Sequence, residues 1–201
     1  MRSNILLLIV VSFFLSANAH AQFKQLIVED VENEAKVPGK TYRVYAEMTT
    51  VGDQIFVIYG DSAHPMEVNC TKPFFQSKEG GPLSKNSSRN LIESTPTLKY
   101  DSWVTIGSID NYDNNVNILN VSFDEFEKSS KEGFKTKDGA WFCIPTDKQA
   151  SCKEDKRILL MQFTTEGEVK GKINIMGKSK AGETYNAHDV AFTCGGKKKG
   201  K

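Results

Sequence analysis

The stretch that decides the fold is Arg157–Met176, "RILLMQFTTEGEVKGKINIM". It contains two runs rich in apolar, β-branched and aromatic residues, separated by the turn-forming pair Glu166-Gly167. Short runs of this kind, bounded by turn residues, are typical of β-strands, and a glycine between two of them is typical of a hairpin. The stretch therefore predicts two consecutive antiparallel strands joined as a hairpin.

Segments of the same character occur along most of the chain. Thr41–Thr49 alternates apolar and polar residues, which predicts a strand with one buried face, and Gln54–Gly60 is a short apolar run after a Gly-Asp turn. About ten strands with turn residues between them, and no strand–helix alternation, predict an all-β antiparallel β-sandwich of jelly-roll or Ig-like type. The other predicted strands are Met66–Cys70, Asp101–Ile109, Val116–Phe123, Ala140–Pro145 and Asp189–Cys194.

The N-terminus has the pattern of a secretory signal peptide. Arg2 precedes the apolar run Ile5–Leu15, and small residues before Gln22 form a cleavage site. The run is shorter than the roughly 20 residues that a membrane-spanning helix needs. We therefore expect a protein that is secreted or held at the cell surface, without a transmembrane segment. The expected organisation is a signal peptide (1–21), a polar lead-in (22–40), a β-sandwich domain (41–195) and a basic disordered tail (196–201).

The charge balance argues against a nucleic-acid partner. Of the 26 basic residues, one belongs to the signal peptide and four to the tail, which leaves 21 in the body against 25 acidic residues. A mildly acidic body lacks the basic surface that binding to phosphate backbones requires.

The four cysteines predict two disulfides. An even number of cysteines in an exported chain is typical of a disulfide framework, and neither a C-x-x-C redox motif nor closely spaced zinc ligands are present. Three pairings are open. We favour Cys143–Cys152, which would close a polar ten-residue loop, together with Cys70–Cys194.

Several of the predicted strands resemble a known type of module. The segments "TYRVYAEM", "IYG", "PFFQ", "LKYDSWVTIG", "GAWFCIP" and "RILLMQFTTEGEVKGKINI" occur here in one order. Over about 150 residues, from Thr41 to Phe192, the chain is similar to an uncharacterised module of secreted and surface proteins of marine bacteria, particularly Bacteroidetes. The resemblance implies an extracellular module. It implies no activity and no catalytic residues, and the cysteines depart from the usual cysteine-poor form.

Aromatic residues are the main candidates for ligand binding. Trp103 and Trp141, the only tryptophans, lie in predicted strands, and Asp101 is close to Trp103 in sequence. Tyr112 is one of four tyrosines that are interspersed with polar residues, together with Tyr45, Tyr59 and Tyr100. Exposed rings beside polar side chains are suited to sugars, because the ring face packs on the apolar face of the sugar while polar groups bond its hydroxyls. Val104 and Ile106 would share one face of a strand, which predicts a half-exposed Trp103. The alternative is that both tryptophans belong to the core.

Two weaker patterns concern metal ions. Asp110, Asp113 and Asn115 offer oxygen ligands of the kind that calcium prefers, although the spacing differs from an EF-hand. Asp and Asn also crowd turns for conformational reasons alone. We therefore expect no cofactor, with calcium as the alternative.

His64 and His188 are the only histidines after the signal segment. A zinc site would need a further ligand such as Asp61 or Asp189, and the alternative is that both histidines are ordinary surface residues.

The leading hypothesis is a secreted, non-enzymatic β-sandwich that binds a glycan or matrix polymer outside the cell. One alternative is a secreted polysaccharide hydrolase that uses two of the central carboxylates. The other is a structural component of an extracellular matrix. The chain has no G-x-S-x-G nucleophile motif, so a serine hydrolase is disfavoured.

Overall fold

The computed structural model describes residues 22–128 and 132–195. Eleven β-strands in this part of the chain form two antiparallel sheets. The predicted signal peptide and the predicted basic tail lie outside the described residues. Within the described residues, no helix is both long enough and apolar enough to cross a membrane.

The smaller sheet has four strands in the order β1-β2-β9-β5. The residues of β2 alternate as predicted: Val44, Ala46 and Met48 are buried, while Arg43 and Tyr45 face outward and are partly exposed. The strands are β1 (Phe23–Val31), β2 (Lys40–Met48), β5 (Trp103–Val104) and β9 (Arg157–Thr165).

The larger sheet has seven strands around β10. β3 and β4 pair with different parts of the same edge of β10, and residues 61–65 separate these two strands. β11 pairs with the other edge of β10. β8 and β6 extend the sheet beyond β3, and β7 extends it beyond β4. The strands are β3 (Gln54–Gly60), β4 (Met66–Cys70), β6 (Asn117–Leu119), β7 (Phe134–Thr136), β8 (Gly139–Phe142), β10 (Val169–Lys178) and β11 (Thr184–Cys194).

The buried faces of the two sheets share one hydrophobic core, so the protein is a β-sandwich as predicted. Val44 and Met161 of the four-stranded sheet belong to the same cluster as Ile58 and Ile173 of the seven-stranded sheet. Helical segments are few and short: α1 (Arg89–Ile92), α2 (Asp124–Glu127), and single 3₁₀ turns at Ser84–Asn86, Pro96–Tyr100 and Lys148–Ala150.

The predicted hairpin between β9 and β10 is wrong. The two strands have the predicted positions, but they belong to different sheets, and Glu166-Gly167 carries the chain from one sheet to the other. The backbone N–H of Glu168 donates to the Thr71 hydroxyl, and the Thr165 hydroxyl contacts the Pro73 carbonyl. Because these polar groups bond to the 71–73 segment, the turn is fixed as a crossover.

The polar lead-in also differs from the prediction, because it contains β1. This strand pairs with β2 from Phe23 to Val31 at the edge of the four-stranded sheet. Its residues are partly exposed on both faces, so the period-two pattern of a half-buried strand is absent.

The predicted disulfides are also wrong: all four cysteines are buried free thiols. Cys70 and Cys194 both pair with Val169, one on each side of β10. Two strand spacings separate their backbones, about 9.6 Å, whereas a disulfide needs Cα atoms within about 7 Å.

Cys143 and Cys152 are separated along a strand instead. Cys143 bonds through its backbone to Phe56, and Cys152 bonds to Asp53, three residues earlier on the same edge. At about 3.3 Å per residue, their backbones lie roughly 10 Å apart. The loop between them is therefore not closed by a disulfide.

Candidate functional site

The two tryptophans belong to the core. Trp103 is 1% exposed and Trp141 is fully buried, and the Trp141 indole N–H donates to the Thr105 carbonyl at 3.0 Å. The prediction of a half-exposed Trp103 is wrong because the strand is only two residues long. The Val104 backbone N–H donates to the Pro82 carbonyl at the other edge of this strand, and the loop residues Ile92, Leu98 and Ile109 line a small pocket beside Trp103 and cover its face.

Asp101 is buried and holds a loop in place. Its two carboxylate oxygens accept the backbone N–H groups of Ser77 and Gly81, at 2.7 and 3.1 Å. Burial raises the pKa of Asp101 to about 6, although the backbone hydrogen bonds act in the opposite direction. The carboxylate is thus used within the fold and presents no surface to a ligand.

The residues predicted to bind calcium organise a turn. Both Asp110 carboxylate oxygens accept hydrogen bonds from the Arg89 guanidinium, at 2.7 and 3.1 Å. One of them also accepts a hydrogen bond from the Tyr112 backbone N–H. Asn115 bonds to the side chain of Asp147, and Asp113 adopts a left-handed backbone conformation with φ +47°. Within the described residues, no group of three or more His, Cys, Asp and Glu side chains is arranged to hold a metal ion.

Tyr112 lies at the surface, beside a groove that sequence reasoning did not predict. The groove runs between the outward side chains of β2 and β9 and two loop segments, residues 107–113 and 148–155. It encloses about 500 Å³, within the range of roughly 300–1,000 Å³ that is usual for ligand sites. Because it contains tyrosines and several cations, we call it the tyrosine–cation groove.

Two tyrosines line the groove, each with an arginine over its ring. Arg89 lies 4.5 Å from the ring centroid of Tyr112, which is 61% exposed. Arg157 lies 5.9 Å from the ring centroid of Tyr45. Cation–π contact limits the motion of a surface tyrosine. The sandwich therefore presents one ring from the sheet and one from the loop.

The groove carries a local positive charge. Five basic and three acidic residues line it, although the body of the protein is mildly acidic. Asp110 pairs with Arg89, and Glu29 outside the groove pairs with Arg157. The basic residues are Arg43, Arg89, Lys148, Lys153 and Arg157, and the acidic residues are Asp110, Asp113 and Asp155.

Three of the cations form no ion pair with any described residue: Arg43, Lys148 and Lys153. The Arg43 guanidinium donates only to a neutral amide, Gln162, at 2.9 Å, and the two lysines are exposed. Ammonium and guanidinium groups without a partner are available to anions, and guanidinium in particular matches the geometry of carboxylates.

Sequence reasoning found part of this site. It singled out Tyr112, Asp110 and Asp113, which lie together here. It named Tyr45 only as one of four tyrosines among polar residues, and it missed the basic residues. The alternation of β2 did place Arg43 and Tyr45 on the outward face, and an outward tyrosine beside an arginine could have indicated a binding surface.

Comparisons with known proteins gave no match. No protein-family model, no curated protein and no solved structure is significantly similar to this chain.

Proposed function

We propose that this chain is a secreted, non-enzymatic binding module whose tyrosine–cation groove holds an acidic extracellular glycan. The observation that supports the proposal is the combination, in one groove, of two tyrosine rings with three cations that have no ion-pair partner in the described part of the chain. Sugar rings pack on the tyrosines, and uronate or sulfate groups pair with the cations.

The acidic class of glycan is favoured over the neutral class by the charges. A neutral sugar would leave Arg43, Lys148 and Lys153 without a counter-charge while covering part of their hydration. A uronate or sulfated sugar supplies the missing anion. Binding of this kind weakens with salt, since exposed charges are screened within about 10 Å at 0.1 M salt.

A hydrolase receives less support from the site. The buried Asp101 carboxylate accepts hydrogen bonds from two backbone N–H groups, and the Asp110 carboxylate accepts hydrogen bonds from Arg89. Paired-carboxylate hydrolysis needs two carboxyl groups on opposite sides of a glycosidic bond, and these two carboxyl groups are already engaged within the fold.

Buried thiols are compatible with the proposed location. Burial raises the pKa of Cys143 to about 12, and that of Cys194 to about 12. The reactive species is the thiolate, so buried, protonated thiols resist oxidation outside the cell without being cross-linked.

The proposal is tested by measuring the binding of purified protein to polygalacturonate, alginate and a sulfated galactan, with a neutral β-glucan for comparison. Acidic polymers should bind, and affinity should fall between 50 and 300 mM NaCl. Tyr45→Ala or Tyr112→Ala should each weaken binding about tenfold, equivalent to roughly 1.4 kcal/mol. The double variant Lys148→Ala/Lys153→Ala should weaken binding and reduce its salt dependence.

Lys135→Ala is the matched control, because this exposed lysine lies on β7 of the other sheet. Its binding should equal that of the unmodified protein. Equal affinity for neutral and acidic polymers, or full binding by both tyrosine variants, would refute the proposal. Release of reducing ends would support the hydrolase instead, and self-assembly without glycan binding would support the matrix component.

A further inference from the structure

The guanidinium group of Arg43 is held in one orientation by a buried amide. Its Nε atom donates to Gln162 Oε1 at 2.9 Å. Gln162 is fully buried, and its amide nitrogen donates to the backbone carbonyls of Lys99 and Asp101, at 3.1 and 2.7 Å. Because a flipped amide would lose both of these bonds, the Gln162 oxygen stays directed toward Arg43. The fold therefore sets the plane of the guanidinium group.

The two terminal nitrogens of Arg43 are available to a ligand. Arg43 lines the tyrosine–cation groove, and within the described part of the chain its guanidinium donates only through Nε. Glu29 lies opposite Arg43 in the register of β1 and β2, but the Glu29 carboxylate pairs with Arg157. Arg43 thus presents two parallel N–H groups in a fixed orientation, whereas Lys148 and Lys153 present ammonium groups on flexible stems.

Tyr45 lies two residues further along β2 and shares the outward face with Arg43. Residues at this spacing are about 6.6 Å apart along a strand. The carboxyl group of a uronic acid is bonded directly to the sugar ring, so a sugar that packs on Tyr45 brings its own carboxylate to Arg43. A sulfate ester is separated from the ring by a further oxygen atom and has three terminal oxygens instead of a planar pair, so it fits this spacing less well.

We propose that Arg43 recognises a carboxylate through two parallel hydrogen bonds, with Gln162 as its positioning residue, so that the ligand of the groove is a polyuronate and not a sulfated glycan. This inference rests on the proposed function and narrows its class of ligand. Paired hydrogen bonds between a guanidinium and a carboxylate are stronger and more directional than contact with a point charge. A lysine in place of Arg43 keeps the charge but loses the pair of bonds.

The test is calorimetry at 50 mM NaCl with tetragalacturonate, with its fully methyl-esterified form, and with a sulfated galactan oligosaccharide of the same length and charge. Tetragalacturonate should bind at least about tenfold more tightly than the sulfated ligand, and the methyl ester should lose most of the binding because it carries no charge. Arg43→Lys should lower the affinity for tetragalacturonate about tenfold and that for the sulfated ligand less than about twofold.

Two further variants test the surroundings of Arg43. Gln162→Met should move the ratio of the two affinities toward that of Arg43→Lys, because the guanidinium loses its fixed orientation, whereas a purely structural role would lower both affinities together. Glu29→Gln should raise the affinity for tetragalacturonate several-fold, because it removes the carboxylate opposite Arg43. Thermal unfolding without ligand shows whether each variant is folded, and Arg43→Lys decides the inference if Gln162→Met does not fold.

Lys135→Arg is the matched control, because it makes the reverse exchange at an exposed position on β7 of the other sheet. Its affinities for both anionic ligands should equal those of the unmodified protein. Equal affinity for the two anionic ligands, or an Arg43→Lys variant that keeps the preference for uronate, would overturn this inference and leave the proposed function standing. Failure of every acidic glycan to bind would refute the proposed function and this inference with it.

Discussion

Two neighbouring carboxyl groups, Glu127 and Asp101, make the folded state sensitive to pH. The Glu127 Oε1 atom is buried and has no hydrogen-bond partner among the described residues. Burial together with the charge of Asp101 raises the pKa of the Glu127 carboxyl group to about 7. Burial raises the pKa of Asp101 to about 6. Both values are above those of an unfolded chain, so the folded state holds more protons between about pH 4 and 7. The stabilising contribution of these two groups is therefore complete in acid and is lost as the pH rises through this window.

Glu127→Gln should remove much of this dependence, because the amide cannot ionise. We expect the free energy of unfolding at pH 8 to rise by about 1 kcal/mol, a value reduced for the partial exposure of the side chain. Urea unfolding at pH 5 and pH 8 measures the effect. Glu125→Gln is the control, since Glu125 is exposed and pairs with Lys128 on the same helix. The prediction would be contradicted if Glu127→Gln left the difference in the free energy of unfolding between pH 5 and pH 8 unchanged.

The cysteines give a second prediction at this scale. Because all four are buried thiols, a thiol reagent such as DTNB should react with fewer than one group per native chain. After unfolding in guanidinium without reductant, it should titrate four. Unfolded protein that reacts at none of the four positions, with a mass lower by the hydrogens of two disulfides, would show that the thiols are paired instead.

Burial at single positions was hard to predict where segments are short. Trp103 looked half-exposed because Val104 and Ile106 would share a buried face in a regular strand. In the structure, Trp103, Val104, Thr105 and Ile106 are all buried, since loop residues cover the second face. Alternation predicts exposure only when one side of the strand faces water.

Among the elements, strands built from apolar runs were predictable and their pairing was not. The longest described strand, β11, begins at Thr184, whereas the prediction began at Asp189. The bounds of β3, β4 and β9 coincide with the predicted segments, because apolar runs between turn residues define a strand locally. β1 was missed because an edge strand exposed on both faces has no alternation. Whether β9 and β10 pair depends on hydrogen bonds to residues 71–73, about 100 positions earlier in the chain. Such distant partners leave no local pattern.

The turn before β2 depends on Gly39, which gives a prediction at the scale of elements. Gly39 has φ +92°, and a Cβ atom there would lie 2.3 Å from the Thr165 backbone at the end of β9. Gly182 has φ +98°, but a Cβ atom there would meet only the Lys178 side chain, at an ordinary contact distance of 3.6 Å. Gly182→Ala should therefore lower the free energy of unfolding by only about 1–2 kcal/mol, the strain of a left-handed backbone. Gly39→Ala should lower it by at least about 3 kcal/mol, because the clash adds to this strain.

The difference between the two alanine variants isolates the clash, because both share the positive φ. Urea unfolding at one pH measures both free energies. Equal decreases in the free energy of unfolding would contradict the prediction, because they would mean that the turn before β2 and the end of β9 move apart without destabilising the fold.

At the scale of the whole molecule, the tyrosine–cation groove lies on the outward side of the four-stranded sheet, to which Tyr45 belongs. The core shared by the two sheets lies behind it. A ligand in the groove therefore binds only the folded chain, because the groove combines side chains of β2 and β9 with the 107–113 and 148–155 segments.

Occupancy of the groove should therefore stabilise the fold by mass action. A ligand at 100 times its Kd adds about 2.7 kcal/mol to the free energy of unfolding. Thermal unfolding with an acidic polymer should give a Tm that rises with polymer concentration. Because Tyr45→Ala should weaken binding about tenfold, the same polymer concentration should stabilise this variant by only about 1.4 kcal/mol, whereas Lys135→Ala should keep the full effect. An equal rise in Tm for Tyr45→Ala and the unmodified protein would mean that the polymer binds elsewhere on the molecule.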